Sequence, residues 1–147
     1  MLKTTVKLLP FLFLILITVN SCKKKNDQKS KTQLITEKDW KALKIEEKEN
    51  NDPWFDYLAG ADVCYTDDRY VFRVNNTYEI NEGPTKCNAS DPQVYETGTW
   101  SLGDNETKFI YDGNPFTIDQ LTDNSMILSY SVTVGPDTYY AKLTFAH

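Results

Sequence analysis

The chain has 147 residues, 40% apolar and 25% charged, with three cysteines, one histidine and a net charge of −5. That length suits one domain, and because the histidine is the last residue, His147, no histidine-based triad, general base or zinc cluster can stand on a rigid element. Basic residues crowd the first 31 positions; from Thr32 on, 9 basic residues face 20 acidic ones, a net of −11, which argues against nucleic acid and favours solubility, cations or basic partners.

Lys3 and Lys7 precede an apolar run over 8–19, followed by Val19-Asn20-Ser21-Cys22. A charged start, a short apolar core and small residues before a cysteine read as an export signal. The run is interrupted by Pro10 and falls short of the roughly 20 residues a bilayer span needs. The four residues resemble the lipobox of bacterial lipoproteins, with an aliphatic residue at −3 and a small one at −1. The resemblance implies cleavage after residue 21 and lipid on Cys22, with two or three acyl chains as a stable anchor. It implies a bacterial cell-envelope location, and the basic residues beside Cys22 favour the periplasmic face over the cell surface. Residues 22–35 then form a flexible tether: KKKNDQKSK has no apolar residue to bury, and its lysines suit anionic head groups. Cysteine arithmetic agrees, since removing Cys22 from the count leaves Cys64 and Cys87 to pair.

The domain is expected over 36–147. Thr36-Glu37-Lys38-Asp39 carries a helix N-cap signal ahead of Trp40. Eight strands follow, at 42–48, 69–73, 77–81, 95–102, 107–111, 116–121, 126–133 and 138–146, because apolar residues alternate between turn clusters such as GDNE, DGNP, TDNS and VGPD. Short connections pair neighbours antiparallel, and closure removes the edges. The expected fold is all-β, one small antiparallel up-and-down barrel of about eight strands.

One hairpin can be specified further. Tyr70 and Phe72 share a face, as do Tyr78 and Ile80, and joining both sets in one core excludes a two-residue turn. A loop of Val74, Asn75 and Asn76 places Phe72 opposite Tyr78 and puts Asn76 in the left-handed region. The same register brings Cys64 near Cys87.

The succession CYTDDRYVF, NNTYEI, GPTKC, ETGTWSL, MILSYSVTV and TYYAKLTF resembles the lipocalin-like domain of bacterial lipoproteins. That pattern runs cysteine, acidic pair, aromatic-x-Phe, turn, Thr-aromatic, Gly-x-x-x-Cys, Gly-x-Trp and paired terminal strands. The resemblance covers the chain from about Trp40 to its end. Asn75-Asn76 stands where the family usually has Asp-Gly, and the insertion over 50–62 is this chain's own. A small antiparallel barrel on a lipid tether is implied, with no enzymatic activity attached.

No CxxC, GxGxxG or GxSxG occurs, so neither a metal nor a cofactor is expected. Asp67-Asp68 reads as a corner bonding back to backbone amides rather than a cation site. The aromatic residues Tyr70, Phe72, Tyr78, Trp100, Phe116, Tyr130 and Tyr139 are the cavity candidates, since an eight-stranded barrel either fills with side chains or holds one small apolar ligand. Trp54, Phe55 and Tyr57 of the insertion are expected to cover the barrel mouth or form a contact patch. Two partner classes follow: a small hydrophobic molecule, or a basic protein, as for an inhibitor of a lysozyme-type hydrolase. A structural envelope component without a ligand is the remaining reading.

Overall fold

Wherever apolar residues alternate between turn sequences the chain extends, and a computed structural model describing residues 28–147 gathers nine strands into one antiparallel sheet. The expected signal (1–21), Cys22 and the tether up to residue 27 lie outside the described residues. The strands are β1 (Lys41–Glu49), β2 (Phe55–Asp56), β3 (Arg69–Phe72), β4 (Thr77–Asn81), β5 (Val94–Gly103), β6 (Lys108–Tyr111), β7 (Asn114–Leu121), β8 (Ser125–Val134) and β9 (Asp137–Ala146); the helices are α1 (Lys31–Thr36) and α2 (Val63–Thr66). All eight expected strands are present, each within two residues of its expected bounds. The ninth, β2, arises in the insertion and pairs with β1.

The order β2-β1-β9-β8-β7-β6-β5-β4-β3 makes neighbours of consecutive strands from β3 to β9. Closure comes from one bridge, in which Trp40 and Tyr70 exchange backbone hydrogen bonds of 2.9 and 2.8 Å. β2 extends the sheet beyond that ring of eight.

The helix ends where the sequence signal placed its start: Thr36 is its last residue and Glu37 its C-cap, and its N-cap lies six residues earlier. Ser30 is the N-cap: its hydroxyl accepts from the Gln33 amide at 3.2 Å, and the Gln33 side chain accepts from the Ser30 amide at 2.9 Å, a capping box. Ile35 is fully buried, and Lys29 pairs with Glu37 and Asp123 at 2.6 Å each. The tether expected through residue 35 is therefore corrected: the folded unit already includes Lys29, because Ile35 supplies the apolar anchor that KKKNDQKSK lacks. α1 covers one end of the barrel, with Lys29 reaching the β7–β8 turn and Lys31 donating to Glu106 in the β5–β6 turn.

That covered end is filled. Trp40, Phe72, Trp100, Phe109, Met126, Leu128 and Phe145 are buried together with Ile35. Phe72 meets Phe109 edge-on at 5.2 Å, while Trp100 stacks on Phe109 at 5.6 Å. The indoles are satisfied: Trp40 Nε1 donates to Ile35 O at 2.9 Å, and Trp100 Nε1 to Arg73 O at 3.0 Å. His147 lies here too, its ring 3.8 Å from that of Trp40.

The specified hairpin forms as expected. Phe72 pairs with Tyr78 and Tyr70 with Ile80, and Asn76 takes φ 67°. Beyond it, Cys64 in α2 is bonded to Cys87, their Cα atoms 5.0 Å apart. Asp67 Oδ2 accepts from the Thr85 amide at 3.1 Å, the backbone contact expected of a corner. Gly83 makes the approach possible, since a Cβ there would sit 2.0 Å from the Asp67 carbonyl oxygen.

Candidate functional site

The end opposite α1 is open, and the strand register explains its lining. On β1 the inward positions run Ala42, Ile45, Glu47, Glu49 after a bulge between residues 42 and 44, facing Phe145, Leu143, Ala141 and Tyr139 of β9. Tyr130 of β8 faces Ala141. Apolar pairs thus fill the covered end, and acids with aromatic residues line the mouth. β2 adds to this wall: Phe55 lies opposite Glu47, and the Tyr57 hydroxyl donates to Glu47 Oε2 at 2.8 Å.

These residues enclose a cleft of about 530 Å³, bounded by Phe55, Tyr57, Tyr130, Tyr139 and Ala141, with Glu47, Glu49 and Asp52 at its rim and Lys48 and Tyr140 at its outer edge. Phe55, Tyr57 and Tyr139 stay 63, 53 and 43% exposed. The insertion is clamped from outside, where the Lys48 ammonium lies 5.3 Å from the Trp54 ring centroid and 4.8 Å from that of Tyr140. Trp54 is therefore a fastening on the outer surface, and Phe55 and Tyr57 are the residues at the mouth.

The seven aromatic candidates divide between the two ends. Phe72, Tyr78 and Trp100 are packed in the core; Tyr70 stands at the closing bridge, its ring 5.1 Å from Phe145. Phe116 and Tyr130 meet at 5.4 Å, and Tyr130 and Tyr139 reach the cleft. Glu47, Glu49 and Ala141 belong to the lining as well. Their signal in the sequence was the continuation of β1 alternation past Ile45 into acidic residues, readable only once the bulge is known.

Between core and mouth, Tyr78 stacks on Tyr111 at 4.4 Å. Its hydroxyl lies 2.5 Å from Asp112 Oδ2 and 2.8 Å from Glu96 Oε1, and Tyr111 donates to the same Glu96 oxygen at 3.0 Å. Asp112 Oδ1 accepts from the Thr99 amide at 2.8 Å. The Tyr78 hydroxyl first, then that amide, hold the Asp112 carboxyl below the usual range. Burial pushes Tyr78 and Tyr111 up, and pushes Tyr70 up to about 12. These phenols stay protonated near neutrality and serve as hydrogen-bond donors rather than bases. Gly98 makes room for the arrangement, since a Cβ there would stand 2.4 Å from Asp112 Oδ1 and 2.6 Å from Tyr78 Cε1. This is the physical content of the Gly-x-Trp in ETGTW.

Among the described residues no group of three histidine, cysteine or carboxylate side chains converges on a metal position. An aromatic cleft with phenol donors and an acidic rim is chemically a binding surface.

No curated protein and no solved structure matches the chain. A family model described as the lipocalin-like domain matches residues 36–128, from the last residue of α1 to the middle of β8. The chain belongs to the lipocalin-like domain family.

Proposed function

We propose that this is a lipid-anchored protein of the bacterial cell envelope whose lipocalin-like domain binds a small hydrophobic molecule at the open end of the barrel. The observation that carries the binding reading is the contrast between the two ends: side chains fill one, and the other keeps an aromatic cleft of about 530 Å³, within the usual range for a small-molecule site. Glu47, Glu49 and Asp52 outnumber the one cation of the lining, Lys48, whose ammonium is taken up by the Trp54 and Tyr140 rings, so the rim is net acidic and the favoured ligand is apolar and either neutral or cationic. Displacement of an environment-sensitive apolar dye tests this. Neutral and cationic amphiphiles should displace it and fatty acids should not, with Phe55→Ala and Tyr139→Ala each weakening dye binding several-fold. Absence of saturable dye binding would reject the reading.

The anchor rests on the lipobox resemblance and the basic residues beside Cys22, with the periplasmic face favoured. Cys22→Ala should leave an unlipidated, uncleaved precursor; mature-sized protein from that variant would count against the anchor. The net charge of −11 from Thr32 onward supports a second reading, capture of a basic protein such as a lysozyme-type hydrolase.

A further inference from the structure

The corner that holds the disulfide contains carboxylate oxygens with no partner. Glu82 is only 8% exposed and its Oε2 is buried without a hydrogen bond, as is Asp67 Oδ1; Asp68 Oδ1 is buried as well, with the Gly83 amide the one backbone donor that bears on its carboxyl. Asp67 and Asp68 spend their other oxygens on the Thr85 amide and the Tyr95 hydroxyl, the latter at 2.6 Å. A buried carboxylate oxygen left unpaired is costly and rare, and calls for a missing partner. Among the described residues no lysine or arginine forms an ion pair with Asp67, Asp68, Glu82 or Asp91. Nearby Lys86 gives its ammonium to the Asp91 carbonyl oxygen at 2.6 Å.

Asp68 and Glu82 line a cavity of about 340 Å³, with Asp91, Tyr65, Tyr95 and the Cys64–Cys87 bridge as further walls. A metal ion needs several oxygens within about 2.6 Å of one point, and no such convergence exists here. A guanidinium is planar, spreads five N–H donors over several ångströms and stacks on aromatic faces, so it reaches separated carboxylates while lying against tyrosine. We propose that this cavity is a socket for a guanidinium group, carried by an arginine side chain of a basic polypeptide.

The surroundings suit a polypeptide. Tyr65 is shared with a second hollow lined by Tyr57, Leu58 and Asp62, and Tyr57 continues into the mouth cleft. Residues flanking the arginine would therefore meet apolar ground. Loss of hydration already pushes the Asp68 carboxyl up, and a bound cation offsets that penalty. The excess of acidic residues steers a basic partner inward. The socket is separate from the mouth cleft and stands if the dye experiment fails.

The test titrates the full chain in detergent with three probes by calorimetry: N-acetyl-arginine amide, a Leu-Arg-Phe peptide blocked at both ends, and its Leu-Lys-Phe counterpart. The arginine peptide should bind saturably, at least ~10-fold tighter than the lysine peptide and tighter than the amide. Glu82→Gln and Asp91→Asn should each weaken it at least ~5-fold, whereas Asp119→Asn, an exposed β7 acid outside this cavity, should not. Asp91→Asn carries the test if Glu82→Gln fails to fold. Equal binding of both peptides, equal loss in Asp119→Asn, or no binding overturns the socket. An amide binding as tightly as the peptide overturns the polypeptide as its source.

Discussion

Trp40 joins three parts of the fold, and replacing it with phenylalanine separates their contributions. Its backbone makes the closing bridge with Tyr70, its indole donates to Ile35 O in the last turn of α1, and none of its surface is exposed. Trp40→Phe keeps the bridge and an aromatic ring. It removes the donor, leaving a carbonyl oxygen buried and unpaired at about 1–3 kcal/mol. The smaller ring also leaves roughly 40 Å³ of void, which at about 24 cal/mol per Å³ adds ~1 kcal/mol. The expected loss is about 2–4 kcal/mol, a large share of the 5–15 kcal/mol typical of a domain. Urea titration followed by circular dichroism measures it, with m unchanged if the barrel stays closed. Trp100→Phe is the control: its acceptor, the carbonyl oxygen of Arg73, also accepts from the Asn76 amide at 3.0 Å and so keeps a partner, and that change should cost less. A Trp40→Phe loss below about 1 kcal/mol, or one no larger than that of Trp100→Phe, would refute the claim that this indole bond ties α1 to the barrel.

Gly98→Ala should cost about 1–3 kcal/mol in the same titration, because its Cβ collides with both Tyr78 and Asp112. Replacing both Cys64 and Cys87 by serine opens a loop whose ends lie 23 residues apart; the chain-entropy relation gives ~3.4 kcal/mol, and the oxidised wild type and the reduced protein should differ by the same amount. Tyr70 is raised from 10.0 to about 12, so its contribution of about 2–3 kcal/mol is whole below pH ~10 and disappears as pH rises through ~12. Tyr70→Phe should flatten the alkaline limb of a stability profile against pH. Asp112 is shifted the other way, so its contribution is present above the ordinary carboxylate pKa of about 4 and is lost as pH falls through its lowered value. Asp112→Asn should flatten the acid limb.

Alternation and turn chemistry made the eight strands legible, and parity alone gave the β3–β4 register, because a one-residue slip would turn Phe72 and Tyr78 out of the core. The cysteine pairing was legible from the count, which leaves Cys64 and Cys87 once Cys22 is set aside, and the same register brought the two near each other. What escaped were features that depend on distant partners. β2 is two residues long and exists because β1 runs past the ring and offers it an edge. α1 hides behind a lysine-rich start, and only the burial of Ile35 and Trp40 reveals why it docks. The bulge between Ala42 and Lys44 shifts which later β1 residues face inward. Without it, Glu47 and Glu49 would read as solvent acids, and the acidic rim of the cleft would go unseen.

The insertion over 50–62 connects these observations. A closed eight-stranded barrel would end at Glu49 with β1 offering a bare edge; here β2 covers that edge and carries Phe55 and Tyr57 to the mouth. Asp56 fastens the turn that follows, its Oδ1 accepting from the amides of Leu58 at 3.0 Å and Ile45 at 3.3 Å. The chain then crosses to α2, where the disulfide fixes the acidic corner. One segment therefore positions the aromatic wall of the cleft and leads into the helix that bounds the socket. Asp56→Ala removes both bonds and frees the segment at its midpoint, with no ligand contact altered. If the segment positions both sites, that variant should weaken dye binding at the mouth and arginine-peptide binding at the corner, while the barrel's urea midpoint moves little. Loss at the mouth alone would mean that the disulfide suffices to hold the corner.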